Sequence, residues 1–77
     1  MKYIICKRYS EGLCAPSRVF NNLGDAKDQL KKDYDEEYSY GYDDIVFANI
    51  DDFGLSFVIQ YADVDGQCEE RIYELDE

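Results

Sequence analysis

Asn22-Leu23-Gly24-Asp25-Ala26-Lys27-Asp28-Gln29-Leu30-Lys31-Lys32-Asp33-Tyr34-Asp35-Glu36-Glu37-Tyr38 is the stretch on which the reading of this 77-residue chain turns. Leu23, Ala26, Leu30, Tyr34 and Tyr38 recur at spacings of three and four. At about 100° per residue they fall within about 120° of one another, which is an amphipathic helix with one apolar stripe. Asn22 can cap its start, and Asp25 then sits at the third helical position, near the positive end of the dipole. Lys27, Lys31 and Lys32 belong at the margins of the stripe or outside it, and Gly24 weakens the first turn. The end is harder to place. Glu37 points into the apolar stripe if the helix stays regular, and acids at 35–37 oppose the negative end of the dipole. The helix is therefore expected over about 22–38, stopping between Glu36 and Tyr40, with Gly41 as a terminator.

On either side the period changes from 3.6 to 2. Residues 2–9 are β-branched and aromatic and read as a strand. Ser10-Glu11-Gly12 is a turn, and residues 13–20 form a second strand, which Pro16 confines to an edge because it has no N–H to donate. After the helix, Ile45 to Ile50 is a third strand and Asp51-Asp52-Phe53-Gly54 a tight connection. In the fourth strand, Leu55, Phe57, Ile59 and Tyr61 alternate with Ser56, Val58, Gln60 and Ala62, the cleanest alternation in the chain. Asp63-Val64-Asp65-Gly66 is a hairpin turn leading to a fifth strand over Gln67 to Leu75. The expected fold is α+β, a single two-layer ββαβββ domain over residues 1–77. One helix covers one face of an antiparallel sheet of about five strands. The other face is left wet or covered by a partner.

Composition narrows the function classes. Hydrophobic residues make up 45% and aromatics 16%, enough for a core despite a net charge of −10. Residues 1–32 carry seven basic and three acidic side chains, a balance of +4; residues 33–77 carry Arg71 against fifteen acids, a balance of −14. Such a surface repels nucleic acid and anionic membranes and attracts basic proteins. No apolar run has the length of a membrane span. The three cysteines, Cys6, Cys14 and Cys68, are odd in number and show no CxxC spacing. With no signal-peptide pattern, they suggest a reduced, cytoplasmic setting. Cys6 and Cys14 would lie nearly opposite each other on the N-terminal hairpin, as buried, inert thiols.

The chemistry-bearing patterns are mostly negative. The chain has no histidine, which removes the commonest general base and metal ligand. Aligning Gly66 with the glycine of an EF-hand loop places Tyr61 and Ile72 where oxygen ligands are required, so calcium is not expected. The acid pairs Asp43-Asp44, Asp51-Asp52 and Glu69-Glu70 are adjacent, and neighbouring strand residues face opposite ways, so they do not converge on one site. No serine sits in a nucleophile motif, and the five glycines form no phosphate loop. No enzymatic activity, cofactor or metal is expected.

One feature survives. Asp33 to Asp44 packs six carboxylates and four tyrosines into twelve residues with no positive charge. A solvated helix end with Tyr34 and Tyr38 in the core accounts for part of it. The functional reading makes Tyr40 and Tyr42 amphipathic anchors and makes Asp33, Asp35, Glu36, Glu37, Asp43 and Asp44 the charges that steer a basic surface onto them. Glu70 and Glu74, on alternate strand positions about 6.6 Å apart per two residues, are expected to extend the acidic row. Charges at such spacings imitate a phosphate backbone. In size, charge and composition, though in no motif, the chain is similar to the small acidic anti-restriction and anti-CRISPR proteins of phages and mobile elements. That likeness implies a protein partner with a basic surface, such as a nucleic-acid-binding enzyme, rather than nucleic acid or membrane. The competing expectation is a small cytosolic domain that homodimerises through its uncovered sheet face and is acidic only for solubility.

Overall fold

The computed structural model of the chain describes residues 2–9, 14–62 and 66–75. Strands β1 (Lys2–Tyr9) and β2 (Cys14–Phe20) precede helix α1 (Leu23–Tyr40). A single 3₁₀ turn (Tyr42–Asp44) then leads into β3 (Ile45–Ile50), β4 (Ser56–Tyr61) and β5 (Gln67–Leu75). The five strands form one sheet in the order β2-β1-β5-β4-β3, with every pairing antiparallel. This is the expected α+β arrangement in the expected ββαβββ order. Pro16 lies in β2, which is an edge strand, as its missing N–H leads one to expect. The expected turns at 10–12 and 63–65 lie outside the described residues.

Local chemistry accounts for the element ends. Asn22 is extended and its side-chain oxygen accepts from the Asp25 N–H at 2.8 Å, closing the first turn. The β3–β4 connection needs a left-handed residue, and Gly54 supplies it at φ 73°. There the Gly54 N–H donates to the Asp51 carbonyl at 2.9 Å. β4 is slightly shorter than the alternation predicts, beginning at Ser56 rather than Leu55 and ending at Tyr61.

The core lies between α1 and one sheet face. Ala26 and Leu30 from the helix meet Ile5, Phe57, Ile59 and Cys68 from β1, β4 and β5, with Phe20 closing one end. Phe57 and Ile59 are inward, as their alternation requires, and Tyr61 is partly buried beside them. The helix runs to Tyr40, the far limit of the expected range, and Gly41 terminates it; its inward-pointing Glu37 finds partners. One expectation about the helix needs correction. Tyr38 is 39% exposed and so lies at the rim, whereas Tyr34 packs against the core.

The second sheet face is uncovered. Ile4, opposite both Val19 and Tyr73, and Val58, opposite Glu69, lie on it. Val19, Phe47 and Tyr73 are each about half exposed. The two charge halves do not interleave, since β1 and β2 stand on one side of β5 and β4 and β3 on the other. They meet along the β1–β5 seam, where Lys7 lies opposite Glu70 and Arg8 opposite Glu69. Cys14 pairs with Arg8, and Cys6 with Pro16, so the two cysteines are offset rather than opposite. Cys6 and Cys68 are free thiols. Among the described residues no helix is long and apolar enough to cross a membrane.

Candidate protein-binding surface

The last three turns of α1 sort their side chains into rows. Tyr34, Tyr38 and then Tyr42 form an aromatic ladder. Its ring centroids are 6.1 Å apart for Tyr34–Tyr38 and 6.0 Å apart for Tyr38–Tyr42. Tyr34 roots the ladder in the core by an edge contact with Phe57 at 5.3 Å. Asp33, Glu36, Glu37 and Tyr40 share the flank over β1, where with Lys7 they line a cleft of about 220 Å³. Asp35 faces solvent and pairs with Lys31 at 2.7 Å, an exposed i, i+4 bridge of small energetic weight.

Glu37 is the joint that holds this end in place. Its carboxylate accepts from the Tyr61 hydroxyl at 2.8 Å and pairs with the Lys7 ammonium at 3.1 Å, so one helical side chain is tied to β4 and β1 together. Burial first, and then the neighbouring Glu37 charge, raise the Tyr61 hydroxyl above its ordinary pKa, so it stays a donor. Gly41 follows directly with φ −103°, outside the left-handed region. What requires glycine here is space, because a Cβ would run into the Tyr61 ring. The 3₁₀ turn is then pinned to the sheet by the Ala62 N–H, which donates to the Asp44 carbonyl at 2.6 Å. The tyrosine-acid segment is thus presented on a fixed backbone.

Behind Glu37 lies a less comfortable group. Glu70 on β5 is 1% exposed; when ionised neither of its oxygens meets a hydrogen-bond donor, whereas the protonated carboxyl hydrogen-bonds to Asp33. The Lys7 ammonium is 3.9 Å away. Burial first, then the hydrogen bond to Asp33 and the charge of Asp33, push the Glu70 carboxyl up to about 8, with Lys7 opposing. At neutral pH the group is therefore mostly a neutral acid. Burial also pushes the Cys68 thiol up to about 12, which makes it a poor nucleophile and metal ligand.

The residues expected to bind a partner separate into three sets. Asp35, Glu36, Asp43 and Asp44 are exposed, as are Tyr40 (92%) and Tyr42 (66%), and all six are gathered at the helix end. Asp33 and Glu37 are half-buried: Asp33 accepts from Gln29 at 2.8 Å, and Glu37 is engaged as described. The third set departs from expectation. Glu70, expected in a surface row, is buried, because even-numbered β5 residues face the helix alongside Cys68. Glu74 is exposed but lies opposite Tyr3, at the end of the sheet where α1 begins, away from the other acids. Lys7 and Tyr61 were missed as parts of the site; the one signal for them was an acid at an inward helical position. Among the described residues, no three Cys, Asp or Glu side chains are grouped so as to hold a metal ion. Comparison with protein families, with curated proteins and with solved structures finds no match to this chain.

Proposed function

We propose that the chain is a non-enzymatic protein-binding module that docks its acidic helix end on a basic protein surface. In its most concrete form it is an inhibitor that occupies a nucleic-acid channel by imitating the phosphate backbone. The observation that carries this reading is the joint exposure of Tyr40, Tyr42, Asp35, Glu36, Asp43 and Asp44 at one pinned end of the molecule. Two projecting rings among four unburied carboxylates supply both an anchor and a steering field. A fixed backbone reduces the ordering cost of binding.

The test starts from basic proteins that co-purify with the chain from its native cells. Reversing Asp35, Glu36, Asp43 and Asp44 to lysine should slow association and flatten its salt dependence. Tyr40→Ala or Tyr42→Ala should mainly speed dissociation. Duplex or guide RNA should compete if the partner is a nucleic-acid enzyme. Wild-type affinity in a folded quadruple variant would remove this surface from consideration.

A second reading rests on a different observation, the half-exposed Val19, Phe47 and Tyr73 on the uncovered sheet face. That face would join two copies. Sedimentation equilibrium at micromolar concentration tests it: a dimer dissociated by Tyr73→Glu supports the reading, and a monomer throughout removes it.

A further inference from the structure

The two edges of the sheet differ in kind. The β2 edge carries Pro16 and Arg18, residues of the sort that keep an edge from pairing with another chain. The β3 edge, Ile45–Ile50, carries none of these: its sequence IVFANI has no charge, proline or glycine. It is apolar on both faces. Ile45, Ala48 and Ile50 pack against the core yet stay half-buried, while Val46 and Phe47 are exposed. Such a composition belongs to a strand covered on both faces and paired on both sides, but no strand among the described residues lies beyond β3.

The edge is also open in its hydrogen bonds. The Asp51 N–H donates to the Ser56 carbonyl at 2.8 Å, and Asn49 and Phe47 lie in the same register opposite Val58 and Gln60. Backbone groups alternate in direction along a strand. Those three residues therefore bond to β4, whereas Ala48 and Ile50 turn their N–H and C=O groups away from the sheet. The pairing with β4 is irregular between Ile45 and Phe47 and regular from Phe47 to Ile50, so the bulge leaves these outward groups on an undistorted stretch.

Charge selects what can pair there. Asp43 and Asp44 precede β3, and Asp51 and Asp52 follow it. Two copies joined antiparallel about a two-fold axis at Ala48 would bring Asp43 and Asp44 of each copy against Asp51 and Asp52 of the other, at both ends of the ladder. Like charges facing one another across strands oppose pairing, so these acids guard the edge against a second copy. The same acids favour a strand whose two ends are basic.

We propose that β3 accepts an added antiparallel strand from a partner protein, an extended segment with a short uncharged β-branched centre and lysine or arginine at both ends. The assignment rests on the docking function proposed above for the sign of the partner's charge, and the Tyr42–Asp44 turn makes the edge continuous with the acidic helix end. Main-chain bonds to Ala48 and Ile50 supply affinity. The incoming side chains complete the cover of Ala48 and Ile50 on the helix face and of Phe47 on the other, and the flanking cations meet the acid pairs.

The probe is acetyl-Lys-Lys-Val-Thr-Val-Thr-Val-Lys-Lys-amide, titrated into the intact chain by NMR. Beside it run the same peptide with glutamate for lysine, the lysine peptide N-methylated through its centre, and octalysine. The lysine peptide is expected to bind one to one and to slow hydrogen exchange at the Ala48 and Ile50 amides, which exchange fast in the free chain. The glutamate peptide should bind about tenfold more weakly, and the N-methylated peptide should protect neither amide. Ala48→Pro, folded by circular dichroism, should lose the protection at Ile50; the N-methylated peptide asks the same question without altering the chain. Asp43, Asp44 and Asp52 changed together to asparagine should weaken the lysine peptide about tenfold and let the chain self-associate through β3. Absence of binding, shifts without protection of the two amides, or equal binding of the N-methylated peptide would overturn the strand assignment. So would protection that grows with wild-type concentration and no peptide, which would make a second copy the occupant. If octalysine still shifts Tyr40 and Tyr42 in those cases, the broader docking function stands. If no peptide binds, both fall.

Discussion

Replacing Glu70 by glutamine should stabilise the protein at high pH and hardly at all at low pH. The side chain is buried, its ionised form meets no hydrogen-bond donor, and its pKa is raised from 4.5 to about 8. A raised carboxyl means that the folded state holds a proton which the unfolded state has already lost. Stability from this group is therefore complete below about pH 4.5 and is lost as pH rises through 8. At 1.36 kcal/mol per pH unit the ceiling of that loss is about 5 kcal/mol. Opening of the helix–sheet seam to let water reach the carboxylate would relieve part of it, so about 2–5 kcal/mol is expected. A domain of this size has little more than that in total. Urea unfolding followed by circular dichroism at pH 5.5, 7 and 8.5 reads it directly. The wild type should lose stability across this range, while Glu70→Gln, which matches the neutral acid in shape, should stay nearly level. At pH 5.5 the two should agree within about 1 kcal/mol. Parallel curves for the two proteins would refute the reasoning, and so would a wild type that gains stability between pH 5.5 and 8.5. Lys7→Met sharpens the test: it removes the charge that holds the Glu70 pKa down, so the loss in that variant should start from lower stability and persist to higher pH than in the wild type.

Leu30→Ala and Ile59→Ala each empty a fully buried site and should cost about 2–5 kcal/mol in urea midpoint measurements. Tyr61→Phe deletes the hydroxyl donated to Glu37 and should cost about 1–3 kcal/mol, with increased amide exchange in the last turn of α1 as its local signature. A folded variant with Cys6, Cys14 and Cys68 all changed to alanine should bind partner as the wild type does. Stoichiometric zinc in protein purified without added metal would contradict this.

The architecture was legible because its elements carry unmixed signals. The Leu23–Tyr38 stripe has a helical period, and the alternation over 55–62 can only be a half-buried strand. Asn22 and Gly54 mark their turns for reasons visible in the residues themselves. What the sequence concealed was pairing across distance. Glu37 looked like a reason for the helix to stop, since no local reading can know that Lys7, thirty residues earlier, and Tyr61, twenty-four later, arrive to satisfy it. Glu70 failed for a related reason. Its neighbours Glu69 and Arg71 are polar, so the segment reads as a solvated strand, and Glu70 turns inward because it shares the helix-covered face of β5 with Cys68 and Ile72. The exposed part of the site, the side chains of Asp35, Glu36, Tyr40, Tyr42, Asp43 and Asp44, was legible because the core makes no use of them.

That disuse bears on function. The last turn of α1 holds no basic residue, and Asp35, Glu36 and Glu37 stand close to the negative end of its dipole. Glu37, in the last turn, disfavours the helix by about 0.3–1 kcal/mol at low salt, and Asp35 and Glu36, further in, by less. Only Glu37 is visibly compensated within the core, through Lys7 and Tyr61; Asp35 has an exposed bridge worth little. Charge kept for solubility alone carries no reason to accumulate where it opposes a dipole, because the same number of acids spread over the outer helix face would serve as well. Nor does solubility call for two tyrosines standing out among those acids, since exposed rings work against it. The proposed binding surface would account for both departures: the acids would draw a basic partner, the rings would hold it, and the ties from Glu37 and Asp44 would keep the arrangement ready before the partner arrives.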